Sequence, residues 1–143
     1  MFARRRRRHG FTLMEILLVL AILVVLGSMV GVGYVKIQQN AMKKAAQTQV
    51  TLLEDAVKTY TLDVGSLPSD LTGLLQAPPD LANPTKWAGP YLEKSQLPQD
   101  PWNQPYQYEV IDPSNAKFRI WSNGPDMQPG STDDIDVSRR AWT

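Results

Sequence analysis

An uncharged apolar run near the start of the chain constrains its fold more than any other feature. Twenty residues from Ile16 to Val35 carry no charged side chain. About twenty apolar residues are enough for a helix to cross the hydrocarbon core of a bilayer. The basic block Arg4–Arg8 precedes the run, and positive charge stays on the cytoplasmic side of a membrane. The sequence therefore predicts a transmembrane helix over residues 11–35, with the amino terminus in the cytoplasm and the residues after 35 outside it.

One acidic side chain, Glu15, lies at the start of this apolar run. A carboxylate at the edge of a membrane helix is costly unless it is paired or protonated, so Glu15 is a candidate functional residue. No cation lies on the next two turns. The nearest positive group would be an amine made by cutting the chain just before Phe11. The same amine on a partner chain would serve best, because a helix cannot easily fold its own end back onto its second turn.

An ordinary secretory signal cleaved near Gly27 is the alternative interpretation of this segment. The apolar run continues past Gly27, and an ordinary signal gains nothing from the acid at Glu15. Both observations favour a helix that is retained.

The chain after Val35 continues in a helical pattern. Apolar residues recur at intervals of three and four from Ile37 to Tyr60, with polar residues between them, and no proline occurs before Pro68. This spacing is typical of an amphipathic helix with one apolar stripe. We therefore predict one helix over 12–61. Its second half, 36–61, is amphipathic, and the stripe over 42–60 packs against the domain that follows.

Charge and composition exclude several functions. The net charge is +1, so removing the five arginines of the leader leaves the rest of the chain at −4, which argues against a nucleic-acid partner. The chain has no cysteine, and its single histidine, His9, lies beside the arginines. Thiol nucleophiles, thiolate metal sites and histidine-based catalysis are thus excluded or nearly so. The nucleotide-binding motif G-x-x-x-x-G-K is also missing. We predict that the protein is not an enzyme.

Short elements are predicted after the long helix, in a small globular region over residues 62–143. Asp70 begins a short helix that Pro78 ends. Residues 106–111 and 117–121 alternate as strands around a turn at 112–115 and so form a hairpin. A two-stranded hairpin is marginal alone and must lie against the helix stripe. The predicted fold class is α+β, with one long helix and a small antiparallel sheet.

The stretch Gly10-Phe11-Thr12-Leu13-Met14-Glu15, between a basic leader and a long apolar run, resembles the type IV prepilin signature. The resemblance implies that a dedicated prepilin peptidase cuts after Gly10 and removes the leader, residues 1–10. Phe11 becomes the N-methylated first residue. Glu15 becomes the acid that pairs with the terminal amine of a neighbouring subunit during filament assembly.

Further landmarks resemble the major pseudopilins of the type II secretion system over essentially the whole chain. They are Tyr60-x-x-Asp63-x-Gly65-x-x-Pro68, Gly73-Leu74, Trp87, Gly89-Pro90-Tyr91-Leu92, Leu97-Pro98-x-Asp100-Pro101-Trp102-Asn103-x-Pro105-Tyr106-x-Tyr108 and Ser122-Asn123-Gly124-Pro125-Asp126. The Asp-Pro-Trp block discriminates best. That family usually has Gly-Asn after the tryptophan, whereas this chain has Asn103-Gln104. Asparagine tolerates the left-handed backbone conformation that glycine would adopt, so the departure should be tolerated.

This resemblance implies a type IV pilin-like fold and a structural role in protein export. The subunit would lie in the inner membrane, with a single pass and a periplasmic carboxyl-terminal region. It would then polymerise with copies of itself into a periplasmic helical pseudopilus that drives exoproteins across the outer membrane. Its other implied partners are the minor pseudopilins and the inner-membrane assembly platform. Two alternatives stay open: a type IV pilin or minor pseudopilin for adhesion or DNA uptake, and, in a different class, a small secreted binding module.

An acidic stretch near the end of the chain suggests a cation site. It contains four acids within 126–136, separated by glycine, proline and small polar residues. Hard cations such as Ca²⁺ bind carboxylate and carbonyl oxygens, but a solvated acidic loop fits the residues equally well. The resemblance implies one structural calcium ion. Its ligands would be the side chains of Asp126, Asp133 and Asp134 and the carbonyls of Asn123, Gln128 and Ser131, and Asp136 stays unassigned.

Overall fold

The computed structural model describes residues 10–137, without the side chains of residues 29–33. All of the predicted leader except Gly10 lies outside the described residues. The chain divides into two compact units, Met1–Gln39 and Asn40–Thr143.

Helix α1 runs from Leu13 to Val64, 52 residues, as one continuous element. It begins where the hydroxyl of Thr12 accepts a hydrogen bond from the Glu15 amide at 3.3 Å, which satisfies a free N–H group of the first turn. It ends at Gly65, whose φ of +88° is the left-handed conformation that commonly closes a helix. The predicted helix over 12–61 is confirmed, and its end lies three residues later because Gly65 is the residue that terminates it.

The first half of α1 exposes nearly all of its large apolar side chains. Every one of these side chains from Phe11 to Leu26 is at least 50% exposed. No helix among the described residues combines the length and the hydropathy that a membrane crossing requires. The transmembrane segment over 11–35 therefore stays a prediction, and the side chains of 29–33 within it lie outside the description.

The core of the second unit is built on the apolar stripe of α1. Val50, Leu53 and Val57 have no exposed surface, and Tyr60 is 1% exposed. Together with Ala56 of the same helix, they form one cluster with buried residues of the following segments: Leu71, Leu74, Tyr106 and Ile120. The predicted packing of the stripe over 42–60 is confirmed.

Two 3₁₀ helices follow α1 and cover one side of the stripe. The first, Leu71–Leu74, is capped by Asp70, whose carboxylate accepts hydrogen bonds from the Thr72 and Gly73 amides. The second, Pro84–Lys86, was not predicted and is capped by Asn83. The short helix predicted between Asp70 and Pro78 is confirmed at its capped start, but it is a 3₁₀ helix that ends at Leu74.

A three-stranded antiparallel sheet covers the rest of the stripe. Strands β1 (Gln107–Asp112), β2 (Lys117–Ser122) and β3 (Ile135–Asp136) lie in the order β1-β2-β3. The predicted hairpin corresponds to β1 and β2, with each strand ending one residue later than expected. Strand β3 was not predicted. It pairs Ile135 with Ser122, so both ends of the acidic stretch meet at the sheet.

We expect Leu53→Ala to destabilise the protein by about 2–5 kcal/mol, because it leaves a cavity among fully buried side chains. The neighbouring Leu52 is a matched control, since it is 54% exposed on the same helix. Leu52→Ala should change the free energy of unfolding by about 0.5 kcal/mol or less. Denaturant unfolding of the full chain in mild detergent measures both. Equal losses for the two variants would contradict the assignment of the stripe.

Candidate functional site: the start of helix α1 and the acidic loop

The predicted processing and assembly residues lie together at the start of α1. Gly10 and Phe11 are exposed and precede the helix, and Glu15 is the acid of its first turn. No ion pair among the described residues involves the Glu15 carboxylate. An acid in the first turn of a helix is favoured by the helix dipole. A carboxylate at this position therefore suits the start of the helix, and Glu15 is available to a positive group from outside the chain.

The acidic loop comprises residues 123–134, between β2 and β3. The pairing of Ser122 with Ile135 closes it at the base. Gly124, near its beginning, lies against its far end, because a Cβ atom on Gly124 would come within 2.2 Å of the Asp133 carbonyl oxygen. Residue 124 must be glycine for this close approach, and its φ of +71° also favours glycine. The two ends of the loop are thus held together at two places, by the pairing of Ser122 with Ile135 and by the contact of Gly124 with Asp133.

Short-range hydrogen bonds define the interior of the acidic loop. Asp126 accepts a hydrogen bond from the Gln128 amide at 3.1 Å, and Asp134 accepts one from the Gly130 amide at 2.9 Å. The Ser131 hydroxyl accepts one from the Asp133 amide at 3.1 Å. These bonds hold the side chains of Asp126 and Asp134 and the backbone of Asp133 in local turns, and all six predicted calcium ligands lie within the one loop.

Two cations contact acids of this region, one in the loop and one on β3. The ammonium group of Lys43, on α1, lies 3.6 Å from Asp133 Oδ1. Arg119, on β2, donates from Nε to Asp136 Oδ2 at 2.5 Å, and its guanidinium carbon lies 4.3 Å from the ring centre of Trp121. Asp136, which the sequence left unassigned, is thus part of an ion pair within the sheet.

Glu54 on α1 is an acid near this network. Burial raises the pKa of its carboxyl group, the nearby Lys58 lowers it, and the charges of Asp136 and Asp55 raise it further. Its Oε1 atom is buried and has no hydrogen-bond partner. Glu54 therefore adds a half-buried acid to the surroundings of Asp136.

The residues of the loop fit a hard cation by their donor chemistry. Asp126, Asp133 and Asp134 are oxygen donors, and Asp134 Oδ1 is buried without a hydrogen-bond partner. A carboxylate oxygen hidden from water is costly without a donor or a cation. No three acidic or histidine side chains among the described residues are gathered closely enough to form a metal site. Calcium binding therefore stays a prediction.

Asp100 and Ser122 are functional candidates that sequence reasoning missed. Asp100 is 3% exposed, and Ser122 is fully buried. The Ser122 hydroxyl donates to Asp100 Oδ2 at 2.6 Å and accepts from the Gly124 amide at 3.1 Å. Both residues lie in stretches that were quoted above as landmarks. Their contact could not be predicted, because the two positions are 22 residues apart. The same region confirms the expectation for Asn103, whose φ is +62°.

Comparison with known families gives two matches that together cover most of the chain. The family described as "Type II secretion system (T2SS), protein G" matches residues 34–140. The "Prokaryotic N-terminal methylation motif" matches residues 5–31, which include Gly10, Phe11 and Glu15.

Similar proteins agree with these matches. The type II secretion system core protein G of Aeromonas hydrophila is 34% identical over 137 residues, 92% of this chain and 93% of the relative. That of Pectobacterium carotovorum is 37% identical over 134 residues, 90% of this chain and 83% of the relative. The crystal structure of the major pseudopilin of enterohaemorrhagic Escherichia coli superposes with a TM-score of 0.61 at 27% identity, covering 73% of this chain and 89% of that one.

Proposed function

Since the chain belongs to the family of type II secretion system protein G and is a subunit of the pseudopilus of that system, we propose that it acts purely as a structural subunit. Cleavage after Gly10, pairing through Glu15 and cation binding in the acidic loop would serve its polymerisation. The observation that carries this proposal is the start of α1, where a capped helix with one acid presents a row of exposed apolar side chains.

The exposed apolar half of α1 has no covering among the described residues. Monomeric soluble proteins rarely expose contiguous apolar surfaces of such extent. We infer that lipid of the inner membrane covers it before assembly and that copies of the same helix cover it in the filament. The arginine block Arg4–Arg8 would hold the leader in the cytoplasm until a prepilin peptidase removes it. Minor pseudopilins and the inner-membrane assembly platform would then direct polymerisation.

The mature chain should begin with N-methylated Phe11. Intact-mass spectrometry of the protein from membranes of a strain with an active type II system measures this. A Cβ atom on Gly10 would meet no atom within 4 Å, so Gly10→Val probes processing without disturbing the fold. That variant should keep its leader. A mature chain that begins near Ser28 would instead identify residues 1–27 as an ordinary secretory signal.

Glu15→Gln should abolish or strongly reduce filament assembly while leaving membrane insertion intact, because it removes the charge that pairs with the amine of the next subunit. Shearing and electron microscopy of overproduced filaments measure assembly, and membrane fractionation measures insertion. Glu109→Gln is the control, since Glu109 is an exposed acid on β1. Filaments of normal length and number from Glu15→Gln would contradict the pairing role. Glu15 would then only stabilise the start of the helix through its dipole.

Calcium would act in the acidic loop as a structural cross-link. Asp126, Asp133 and Asp134 would hold the ion with the carbonyls of Asn123, Gln128 and Ser131. Calcium would neutralise the negative charge of a loop in which Asp134 Oδ1 is buried and has no hydrogen-bond partner among the described residues. Since a small core gains much from such a cross-link, the ion would stabilise the second unit.

Removing calcium with a chelator should lower the melting temperature of the full chain in detergent. A ligand at one hundred times its Kd stabilises a protein by about 2.7 kcal/mol, so the shift should be several degrees. Asp134→Asn should abolish most of the calcium dependence. Asp112→Asn is the control, because Asp112 caps the turn between β1 and β2. Identical melting curves with chelator and with calcium would make the loop a solvated acidic turn.

A further inference from the structure

A buried aspartate links the Asp-Pro-Trp turn to the beginning of the acidic loop. Asp100 Oδ1 accepts hydrogen bonds from the amides of Trp102 at 3.0 Å and Gln104 at 2.8 Å. These two bonds hold the carboxylate in one orientation. Its second oxygen, Oδ2, accepts the Ser122 hydroxyl at 2.6 Å. Asp100 is thus a fixed acceptor for a side chain at the end of β2.

The hydroxyl of Ser122 links the fixed Asp100 carboxylate to the backbone of the loop. Its single proton is donated to Asp100, so its lone pairs are available to the Gly124 amide, which donates at 3.1 Å. Ser122 has no exposed surface, and Asn123 is 9% exposed. Few water molecules can therefore compete for these bonds, and a buried network of this kind holds one geometry.

The peptide unit that joins Asn123 to Gly124 is the group this network orients. The only cis peptide bond among the described residues joins Gly89 to Pro90, so this unit is trans. In a planar trans peptide the N–H and C=O groups point in opposite directions. Since the Gly124 N–H points to Ser122, the Asn123 carbonyl is held pointing away from Ser122 Oγ.

Two further contacts fix the same peptide unit. The Asn123 side chain accepts a hydrogen bond from the Trp121 indole at 3.2 Å. Gly124 lies against the Asp133 carbonyl, where no side chain would fit. The two residues that the peptide unit joins are therefore each held by a further contact, Asn123 from the sheet side and Gly124 from the far end of the loop.

We propose that Asp100 and Ser122 are positioning residues that aim the Asn123 carbonyl and so preorganise the acidic loop for a divalent cation. The cation part rests on the proposed calcium site, whereas the orientation of the peptide unit does not. Residues that orient the ligands of a metal typically change its affinity by ten- to a hundredfold when they are removed.

Ser122→Ala tests the proposal, and Thr72→Ala is its matched control. The Thr72 hydroxyl also donates to an aspartate oxygen, Asp70 Oδ1, which accepts hydrogen bonds from two backbone amides as well. That turn belongs to the first 3₁₀ helix rather than to the acidic loop. Both variants thus remove one hydroxyl that is bound to an aspartate, and only one of them touches the loop.

Two readouts on the full chain in detergent separate the proposal from the calcium site. With chelator present, the Gly124 amide of Ser122→Ala should exchange its hydrogen at least tenfold faster than in the unmodified chain, as measured by NMR. With calcium chloride titrated by calorimetry, the Kd of Ser122→Ala should rise by about tenfold or more. Thr72→Ala should match the unmodified chain in both measurements.

The outcomes that overturn the proposal are distinct. Unchanged exchange at Gly124 in Ser122→Ala would show that the hydroxyl orients nothing. Faster exchange with an unchanged Kd would reduce the pair to a stabilising contact. An unmodified chain that binds no calcium would refute the calcium site and the cation part of the proposal. Hydrogen exchange at the Gly124 amide would still test the orientation of the peptide unit. Should Ser122→Ala fail to fold, Asp100→Asn, which keeps the size of the side chain, should show the same two changes.

Discussion

The burial of one helix stripe holds the second unit together, and the remaining elements are arranged around it. The segments after α1 contain two single-turn 3₁₀ helices, a hairpin and a two-residue strand, and none of these is stable alone. Tyr60 lies at the centre of their packing. Its ring contacts that of Tyr91 at 5.6 Å between centres, and Tyr91 in turn contacts Trp87 at 5.8 Å. Aromatic side chains bury large areas, so a few of them compensate for the scarcity of aliphatic residues in this region.

Local patterns were sufficient to predict the elements whose stability is local or periodic. The three- and four-residue spacing along α1 predicted both the helix and its buried face, since burial of a stripe requires that period. The alternation around Asp112 and Asn115 predicted the hairpin. Strand β3 was not predicted, because a strand of two residues in an acid-rich stretch is too short to show a period. Its existence depends on β2, which offers a free edge at Trp121 and Ser122.

The candidate site was predictable in its composition and not in its geometry. The motif around Gly10 and Glu15 and the acids after position 125 can be named from the sequence, because each is contiguous. The contact between Asp100 and Ser122 cannot, because it joins two turns that approach only after the sheet has packed on α1. Asn103 illustrates the intermediate case. A glycine-like conformation was expected there from the resemblance to the family, which usually has glycine at this position, and the structure shows a positive φ together with a bond from the Asn103 amide to the Asp100 carbonyl at 2.9 Å.

The distribution of charge around the acidic loop explains why a cation would act at its centre rather than at its ends. At the carboxyl-terminal end, Asp136 has Arg119 in a contact whose acid is 1% exposed, so this end needs no further positive charge. Asp133 has Lys43, but both side chains are more than 40% exposed, and exposed pairs contribute about 0–1 kcal/mol. At the amino-terminal end, two neutral hydrogen bonds hold the chain: the Asn123 side chain accepts from the Trp121 indole, and the Gly124 amide donates to the Ser122 hydroxyl. Among the described residues, Asp126 and Asp134 accept hydrogen bonds only from backbone amides. In this part of the chain, the negative charge of the loop that has no paired cation therefore belongs to Asp126 and Asp134, on a stretch whose two ends are held by other contacts. A divalent ion bound there would order the interior of the loop, where the chain's own contacts are weakest.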